Sequence, residues 1–137
     1  EFPPHIKKAS LESLLSESDH VILTATYLPG DPMILSRESI FTMKPGSVFI
    51  NVSRGELVDE SALVEALDRG ILRAVGVDVL PGDSRWSSDA IVSSPMIEKS
   101  KLCDKVFITP HVGGYAVEAI YETRKFIVSL VDQFTQA

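Results

Sequence analysis

Short runs of β-branched and other apolar residues alternate along the chain with segments whose apolar residues recur every three or four positions. Runs of this kind are typical of strands buried on both faces, and the longer spacing is typical of helices. The pattern predicts strands at His20 to Thr26, Val48 to Val52, Ala74 to Val79 and Val106 to Thr109, and helices at Leu11 to Ser16, Ser36 to Met43, Ser61 to Asp68 and Val117 to Phe134.

Alternating strands and helices predict an α/β fold with a parallel sheet and crossover helices. Ser10 and Ser36 have the placement of helix N-caps, and Gly70 follows a helix end. Between Leu80 and Lys105 no period is visible, which predicts a long loop with a turn of helix near Ile97.

Polar groups follow three successive core strands: Arg54, Asp78 and His111. The carboxyl ends of parallel strands lie on one edge of the sheet, where ligands bind in open α/β folds, so we expect these groups to converge. A planar guanidinium suits capture of a carboxylate, and a histidine beside a carboxylate suits acid or base chemistry near neutral pH. Asp83, a few residues beyond Asp78, is the candidate carboxylate.

Taken singly, each of these residues also has a simpler interpretation. Arg54 could be a surface charge, Asp78 could cap a turn, His111 could be a hydrogen-bonded turn residue, and Asp83 could face solvent. The coincidence of three strand ends favours a site over these alternatives. The neighbouring acids Glu56, Asp59 and Glu60 are interpreted as first-turn acids that suit a helix dipole.

Composition limits the classes of function. A net charge of −6 over 137 residues argues against nucleic-acid and anionic-membrane partners. The single cysteine, Cys103, excludes an intrachain disulfide and fits a reducing compartment, which predicts a cytoplasmic location. No spacing typical of a metal site occurs, so no metal is predicted.

Several blocks of this chain, in order, resemble the signature blocks of the D-isomer-specific 2-hydroxyacid dehydrogenases, of the phosphoglycerate dehydrogenase-like branch. They are Met43-Lys44-Pro45-Gly46, Asn51-Val52-Ser53-Arg54-Gly55, Val58-Asp59-Glu60-Ser61-Ala62-Leu63, Gly76-Val77-Asp78-Val79 and Thr109-Pro110-His111-Val112-Gly113-Gly114. The resemblance implies hydride transfer between NAD(P)H and a small 2-keto or 2-hydroxy acid. NAD is the expected cofactor, with NADP not excluded.

The resemblance also implies residue roles. Arg54 would bind the substrate carboxylate, His111 would be the general acid and base, and Asp83 would support His111, although the family usually has Glu there. Asp78 would contact the nicotinamide carboxamide. The remaining expected cofactor contacts are Thr24, Ala25, Thr26, Val52, Ser53, Arg54, His111, Val112, Gly113 and Gly114; at residues 24–26 the family usually has His-Xaa-Pro.

The family's glycine-rich phosphate loop is missing, because no G-x-G-x-x-G occurs in the 137 residues. We therefore expect residues 1–137 to be a partial Rossmann-like dinucleotide-binding domain lacking its glycine-rich first half, with the helix from Val117 returning to a substrate lobe. The chain alone is then expected to have little dehydrogenase activity. A half sheet should also expose apolar surface, which predicts a homo-oligomer.

Two other classes of function compete with the enzyme. A non-catalytic module on the same fold would sense NAD(H) or bind a partner protein, and the Asp83 change and missing phosphate loop favour it. Retention of Arg54 and His111 favours the enzyme. Another Rossmann-type protein, such as an adenosylhomocysteine hydrolase or a methyltransferase, is disfavoured by the Ser-Arg-Gly and Pro-His-Val-Gly-Gly blocks.

Overall fold

The computed structural model describes residues 3–83 and 94–135, with the backbone alone at 130 and 132–135. The strands are β1 (His20–Leu23), β2 (Ser47–Asn51), β3 (Leu72–Val77) and β4 (Val106–Ile108). The helices are α1 (Leu11–Glu17), α2 (Arg37–Ile40), α3 (Glu60–Asp68), α4 (Pro95–Ser100) and α5 (Val117–Thr135), and a 3₁₀ turn spans Gly55–Leu57.

The four strands form one parallel sheet in the spatial order β1-β2-β3-β4, so each strand pairs with its neighbour in the sequence. Parallel strands joined by right-handed crossovers that always step in one direction place every crossover on the same face of the sheet. Val21, Phe49 and Val75 accordingly share one hydrophobic core with Leu15 of α1 and Leu63 of α3. The predicted parallel α/β fold is confirmed.

The opposite face of the sheet is open, which corrects the prediction of strands buried on both faces. Ile22 of β1 is 58% exposed and Phe107 of β4 is 65% exposed. Val48 and Ile50 of β2 are half-buried. An apolar run is typical of a strand that is covered on both faces. It does not show whether residues of the same chain form the second covering layer.

Capping side chains mark where α1, α2 and α3 begin. The hydroxyl of Ser10 accepts a hydrogen bond from the Ser13 amide, and that of Ser36 accepts one from Ser39, which confirms both predicted N-caps. Helix α3 begins after Asp59, whose carboxylate accepts from the Ala62 amide. Gly70 follows α3 with φ +71°, a conformation that glycine adopts without strain.

The predicted elements differ from the observed ones mainly at their ends. Strand β1 stops at Leu23, three residues before the predicted end, and α2 is a single turn that stops at Ile40. The helical turn expected near Ile97 is α4. Of the predicted loop, residues 84–93 lie outside the described part of the chain.

Helix α5 differs from the other helices because it makes few contacts with any other described element. Its aromatic and aliphatic side chains, among them Tyr121, Phe126 and Ile127, are exposed. None of the helices within residues 3–83 and 94–135 is long and apolar enough to cross a bilayer.

Candidate active site

The segment after β2 is shaped by Asn51, a buried residue that ends the strand. The Asn51 side chain donates from Nδ2 to the carbonyl of Arg54 at 2.9 Å and accepts at Oδ1 from the Ser53 amide at 2.9 Å. The hydroxyl of Ser53 donates to the carbonyl of Ala25, which ties this segment to the chain after β1. Asn51 thereby fixes the turn that carries Arg54, whose side chain is exposed.

Asp78, directly after β3, holds the turn that carries His111. Its Oδ1 accepts from the Thr109 hydroxyl and from the Val112 amide at 3.0 Å, and its Oδ2 accepts from the Gly113 amide at 2.8 Å. Burial raises the pKa of Asp78, but these hydrogen bonds and nearby His111 outweigh burial, so the pKa lies below 3.8. Asp78 therefore holds this turn in its ionised form. We call its three hydrogen bonds to Thr109, Val112 and Gly113 the Asp78 clamp.

The clamped turn contains two positions where the backbone is constrained. His111 has φ +53°, an uncommon conformation for a residue with a side chain, and its amide donates to the Thr109 carbonyl at 3.0 Å. A Cβ at Gly113 would lie 2.9 Å from Asp78 Oδ2. A backbone conformation like that of His111 persists where surrounding contacts enforce it, and here Asp78 supplies contacts on both sides of His111.

Asp83 closes the turn after β3 and reaches His111. Leu80, Pro81, Gly82 and Asp83 form a β-turn of type II, with proline at its second position and Gly82 at φ +81°. Asp83 Oδ2 accepts from the Leu80 amide at 3.0 Å and lies 3.0 Å from His111 Nδ1. The Asp83 side chain is 8% exposed and that of His111 is 33% exposed. The contact between His111 and the shorter Asp83 side chain is therefore made.

The strand ends form a single cleft of about 510 Å³. Arg54, Asp78, Asp83 and His111 provide its polar lining, and Leu80, Ile97, Ile108, Thr109, Pro110 and Tyr115 complete the wall. Arg54 donates to the Ser53 carbonyl at 2.7 Å and has no ion pair with any described residue. The cleft therefore brings together an available guanidinium and a histidine whose Nδ1 is held by a carboxylate.

The expected cofactor contacts lie along the same edge of the sheet, after β1, β2 and β4. Thr24, Thr26, Val52, Val112, Gly113 and Gly114 are exposed, Ala25 is half-buried and Ser53 is buried. Residues 24–26 and Val52 are not part of the lining of the 510 Å³ cleft. No group of three His, Cys, Asp or Glu among the described residues is arranged to hold a metal ion.

Three residues that organise the site were not among the sequence-based candidates: Asn51, Thr109 and Glu56. Asn51 had a visible signal, because an amide that ends an apolar strand requires partners. Glu56 is not a first-turn acid of α3: it lies in the 3₁₀ turn, and its Oε1 accepts from the Gly82 amide at 3.0 Å. Asp59 caps α3, and Glu60 accepts from the Ser94 hydroxyl at 2.9 Å.

The fold and the cleft together define a Rossmann-like α/β domain whose site lies at the carboxyl edge of its sheet. The family model "D-isomer specific 2-hydroxyacid dehydrogenase, NAD binding domain" matches residues 3–113. The chain belongs to this family, and its match lies in the NAD-binding part of the family's members.

Individual relatives agree with this assignment. The chain is 34% identical over 118 residues to glyoxylate/hydroxypyruvate reductase B of Pectobacterium atrosepticum, covering 85% of this chain and 33% of the relative. It is 39% identical over 109 residues to D-3-phosphoglycerate dehydrogenase of Escherichia coli K12, covering 80% and 25%. A solved structure of D-lactate dehydrogenase from Aquifex aeolicus, complexed with NAD and lactic acid, matches with a TM-score of 0.69 and 30% identity, covering 93% and 40%. The chain thus spans a third or less of the curated relatives' length.

Proposed function

We propose that this chain carries the substrate-reducing edge of an NAD-dependent D-2-hydroxyacid dehydrogenase. The main support for the proposal is that Arg54 and the His111–Asp83 pair line the same cleft, at the carboxyl edge of a parallel sheet. The substrate class is a small 2-keto acid and the corresponding 2-hydroxy acid. The glyoxylate, hydroxypyruvate and lactate named for the relatives belong to this class.

Arg54 suits the carboxylate of such a substrate. Its guanidinium offers parallel N–H donors that match two carboxylate oxygens, and no described residue neutralises it. Outside the cleft, Arg37 and Arg69 both form ion pairs with Glu65, whereas Arg73 and Arg124 form none with the described residues. A free cation inside a cleft is the arrangement expected of an anion-binding residue.

His111 suits proton transfer at the substrate oxygen. Because Nδ1 is held by Asp83, Nε2 is the ring nitrogen left for a ligand. In reduction, Nε2–H donates its proton to the carbonyl oxygen as that oxygen becomes a hydroxyl, and in oxidation neutral Nε2 takes the hydroxyl proton back. Asp83 keeps the ring oriented in both directions.

NAD(H), when bound, supplies or accepts the hydride at the substrate carbon. Asp78 fits a carboxamide beside it: a carboxylate offers about four lone-pair positions, and three already accept from Thr109, Val112 and Gly113. The remaining position, on Oδ2, can accept one N–H. We assign the other cofactor contacts to Thr24, Ala25, Thr26, Val52, Ser53, Arg54, His111, Val112, Gly113 and Gly114, which follow the strands at this edge.

The domain is proposed to be partial in the 137 residues, with α5 returning to a substrate lobe. The support is the absence of a glycine-rich phosphate loop from the sequence and the open sheet face that exposes Ile22 and Phe107. We expect the chain alone to oxidise NADH with glyoxylate or pyruvate at a negligible rate. A rate typical of a complete dehydrogenase, roughly 10 per second, would contradict a partial domain.

Substrate binding can be tested without turnover. In the protein that carries the activity, an NMR titration with glyoxylate at saturating NAD⁺, which cannot reduce it, is expected to shift the Arg54 Nε–H and the His111 ring resonances together until they saturate. Arg54→Gln should abolish the shift of the His111 ring resonances, whereas Arg37→Gln, which changes an arginine paired with Glu65 outside the cleft, should leave that shift unchanged. Shifts that survive Arg54→Gln would rule out the proposed site.

A non-catalytic module that senses NAD(H) or binds a partner protein is the second candidate, and the open apolar surface favours it. The change from Glu to Asp at residue 83 no longer supports it, because Asp83 contacts His111. His111→Asn separates the two candidates in the protein that carries the activity. If the protein is a catalyst, this variant should lose about 10²–10⁴-fold in turnover rate. If it is a non-catalytic module, the variant should still bind its partner.

The open surface also supports the proposal that this chain forms a homo-oligomer; its proposed cytoplasmic location rests instead on the single cysteine, Cys103. The exposed face of the sheet and α5 present apolar side chains that include Ile22, Phe107, Tyr121 and Phe126. Contiguous exposed apolar patches mark contact surfaces. Light scattering at tens of micromolar tests this directly, and a monomeric mass would contradict it.

A further inference from the structure

The contact between Asp83 and His111 depends on where the main chain carries Asp83. An aspartate side chain has only two rotatable bonds and a short reach, so it cannot compensate for a displaced backbone. Asp83 is the fourth residue of the Leu80–Asp83 turn, and its Oδ2 serves both the Leu80 amide and His111 Nδ1, each at 3.0 Å. The position of this turn therefore decides whether the histidine is held.

Two residues directly after Arg54 hold that turn from outside. Gly55 lies against it so closely that a Cβ there would be 2.1 Å from the Pro81 nitrogen and 2.2 Å from the Leu80 carbonyl carbon. Glu56 Oε1 accepts from the Gly82 amide at 3.0 Å. That amide belongs to the second central residue of a type II turn, which makes no hydrogen bond within the turn.

We propose that Glu56 is a positioning residue, which acts through Gly82 to hold the Leu80–Asp83 turn where Asp83 can orient the His111 ring. Gly55 allows the Leu80–Asp83 turn to approach closely, and the hydrogen bond from Gly82 to Glu56 holds the turn there. The segment that carries Arg54 thus also sets the geometry of the acid–base pair, although Glu56 is separated from Gly82 by 26 residues in the sequence. The inference deepens the proposed function, because it assigns a support to the proton-transfer group of that site.

The tautomer of His111 reports this geometry without cofactor or substrate. When the ring is neutral, Asp83 at Nδ1 keeps the proton on Nδ1, whereas an unsupported imidazole in water carries it mainly on Nε2. Long-range ¹H–¹⁵N spectra of the chain, at a pH where the ring is neutral, distinguish the two forms. We expect the Nδ1–H form to dominate in the wild type, and Asp83→Asn provides the reference for its loss.

Glu56→Ala is expected to convert His111 from the Nδ1–H form to mainly the Nε2–H form. Glu56→Gln, whose side-chain oxygen can still accept from Gly82, should retain the Nδ1–H form. Glu38→Ala is the matched control: Glu38 also begins a helix and accepts one hydrogen bond, from the Ser36 hydroxyl at 2.7 Å, but it lies outside the cleft. It should leave the tautomer unchanged.

The proposal is overturned if His111 keeps its Nδ1–H form in Glu56→Ala, even when that variant has a lower melting temperature. It is also overturned if His111 loses this form in Glu56→Gln to the same extent as in Glu56→Ala. Should Glu56→Ala fail to fold, hydrogen exchange in the wild type decides. The Gly82 amide must exchange more slowly than the Gly114 amide, and equal rates overturn the proposal. Neither readout uses substrate, so a failed glyoxylate titration would refute the proposed function and leave this inference standing.

Discussion

The strand-end cleft and helix α5 belong to the same chain but differ in where their contacts are made. In the cleft, the carboxylate of Asp78 has three donors, the Asp83 carboxylate is shared between two, and Gly55 touches the opposing main chain. Along α5, large apolar side chains such as Phe126 face solvent. The comparison teaches that Asp78, Asp83 and the residues they hold make their contacts within the described chain, whereas the apolar side chains of α5 are exposed.

Among substitutions at the cleft, Gly55→Ala should lower the free energy of unfolding the most. A methyl group there would overlap the Leu80–Pro81 peptide, so the turn must move away, and we expect a loss of about 3 kcal/mol in the free energy of unfolding. Urea denaturation measures it. Gly114→Ala is the matched control, since a Cβ there meets nothing within 4 Å. Equal losses in the two variants would show that the close approach is not present.

Asp78→Ala should cost about 2 kcal/mol, because it leaves two amides and a hydroxyl of the His111 turn without their acceptor. Differential scanning calorimetry gives the change in stability. Asp31→Ala removes an exposed carboxylate that accepts a single hydrogen bond, from the Leu28 amide at 2.6 Å, and should cost under about 0.5 kcal/mol. A smaller effect at Asp78 than at Asp31 would contradict the clamp.

The same clamp predicts a pH dependence. The pKa of Asp78 is lowered in the folded state, so its stabilisation is present above the ordinary value of 3.8 and is lost as the pH falls through the lowered pKa. Amide resonances of Val112 and Gly113 should titrate with a midpoint below pH 3.8. The Gly46 amide, which donates to the Ile71 carbonyl at 2.8 Å and not to a carboxylate, is the reference. A midpoint at or above pH 3.8 would refute the assignment.

Phe126→Ser on α5 should have the smallest effect on stability, under about 0.5 kcal/mol, because the ring is 61% exposed. Truncation of Phe49, which is fully buried in β2, to alanine should cost about 4 kcal/mol and provides the contrast. Both are read from urea midpoints at low protein concentration. A loss above about 1 kcal/mol for Phe126→Ser would mean that α5 packs against a partner under those conditions.

The hydrophobic pattern predicted where the four strands lie along the chain and that they run parallel, because parallel pairing follows from alternation with helices. The same rule predicted that Arg54 and His111 share an edge of the sheet, since each follows a strand. Local chemistry predicted the Ser10 and Ser36 caps, because a hydroxyl acts on an amide three residues away. These features depend on short-range or periodic information.

Other features could not be predicted from the pattern because their partners are distant in the sequence. Glu56 resembles any acid near a helix start, and only the folded chain brings it to Gly82. The exposure of Ile22 and Phe107 depends on whether a covering layer exists, which an apolar run does not reveal. The contact of Asp83 with His111 depends on the Pro81-Gly82 turn, a signal present in the sequence but not sufficient to give a distance.

Locating a bound 2-keto acid tests the central claim most directly. In the protein that carries the activity, with pyruvate at saturating NAD⁺, which cannot reduce it, nuclear Overhauser effects are predicted from the methyl protons of pyruvate to the His111 ring and to the Arg54 side chain. The competing basic site is the groove where Arg37 and Arg69 lie 4.9 and 5.0 Å from the centre of the Phe41 ring. Effects confined to that groove, or their absence from both His111 and Arg54, would contradict the account.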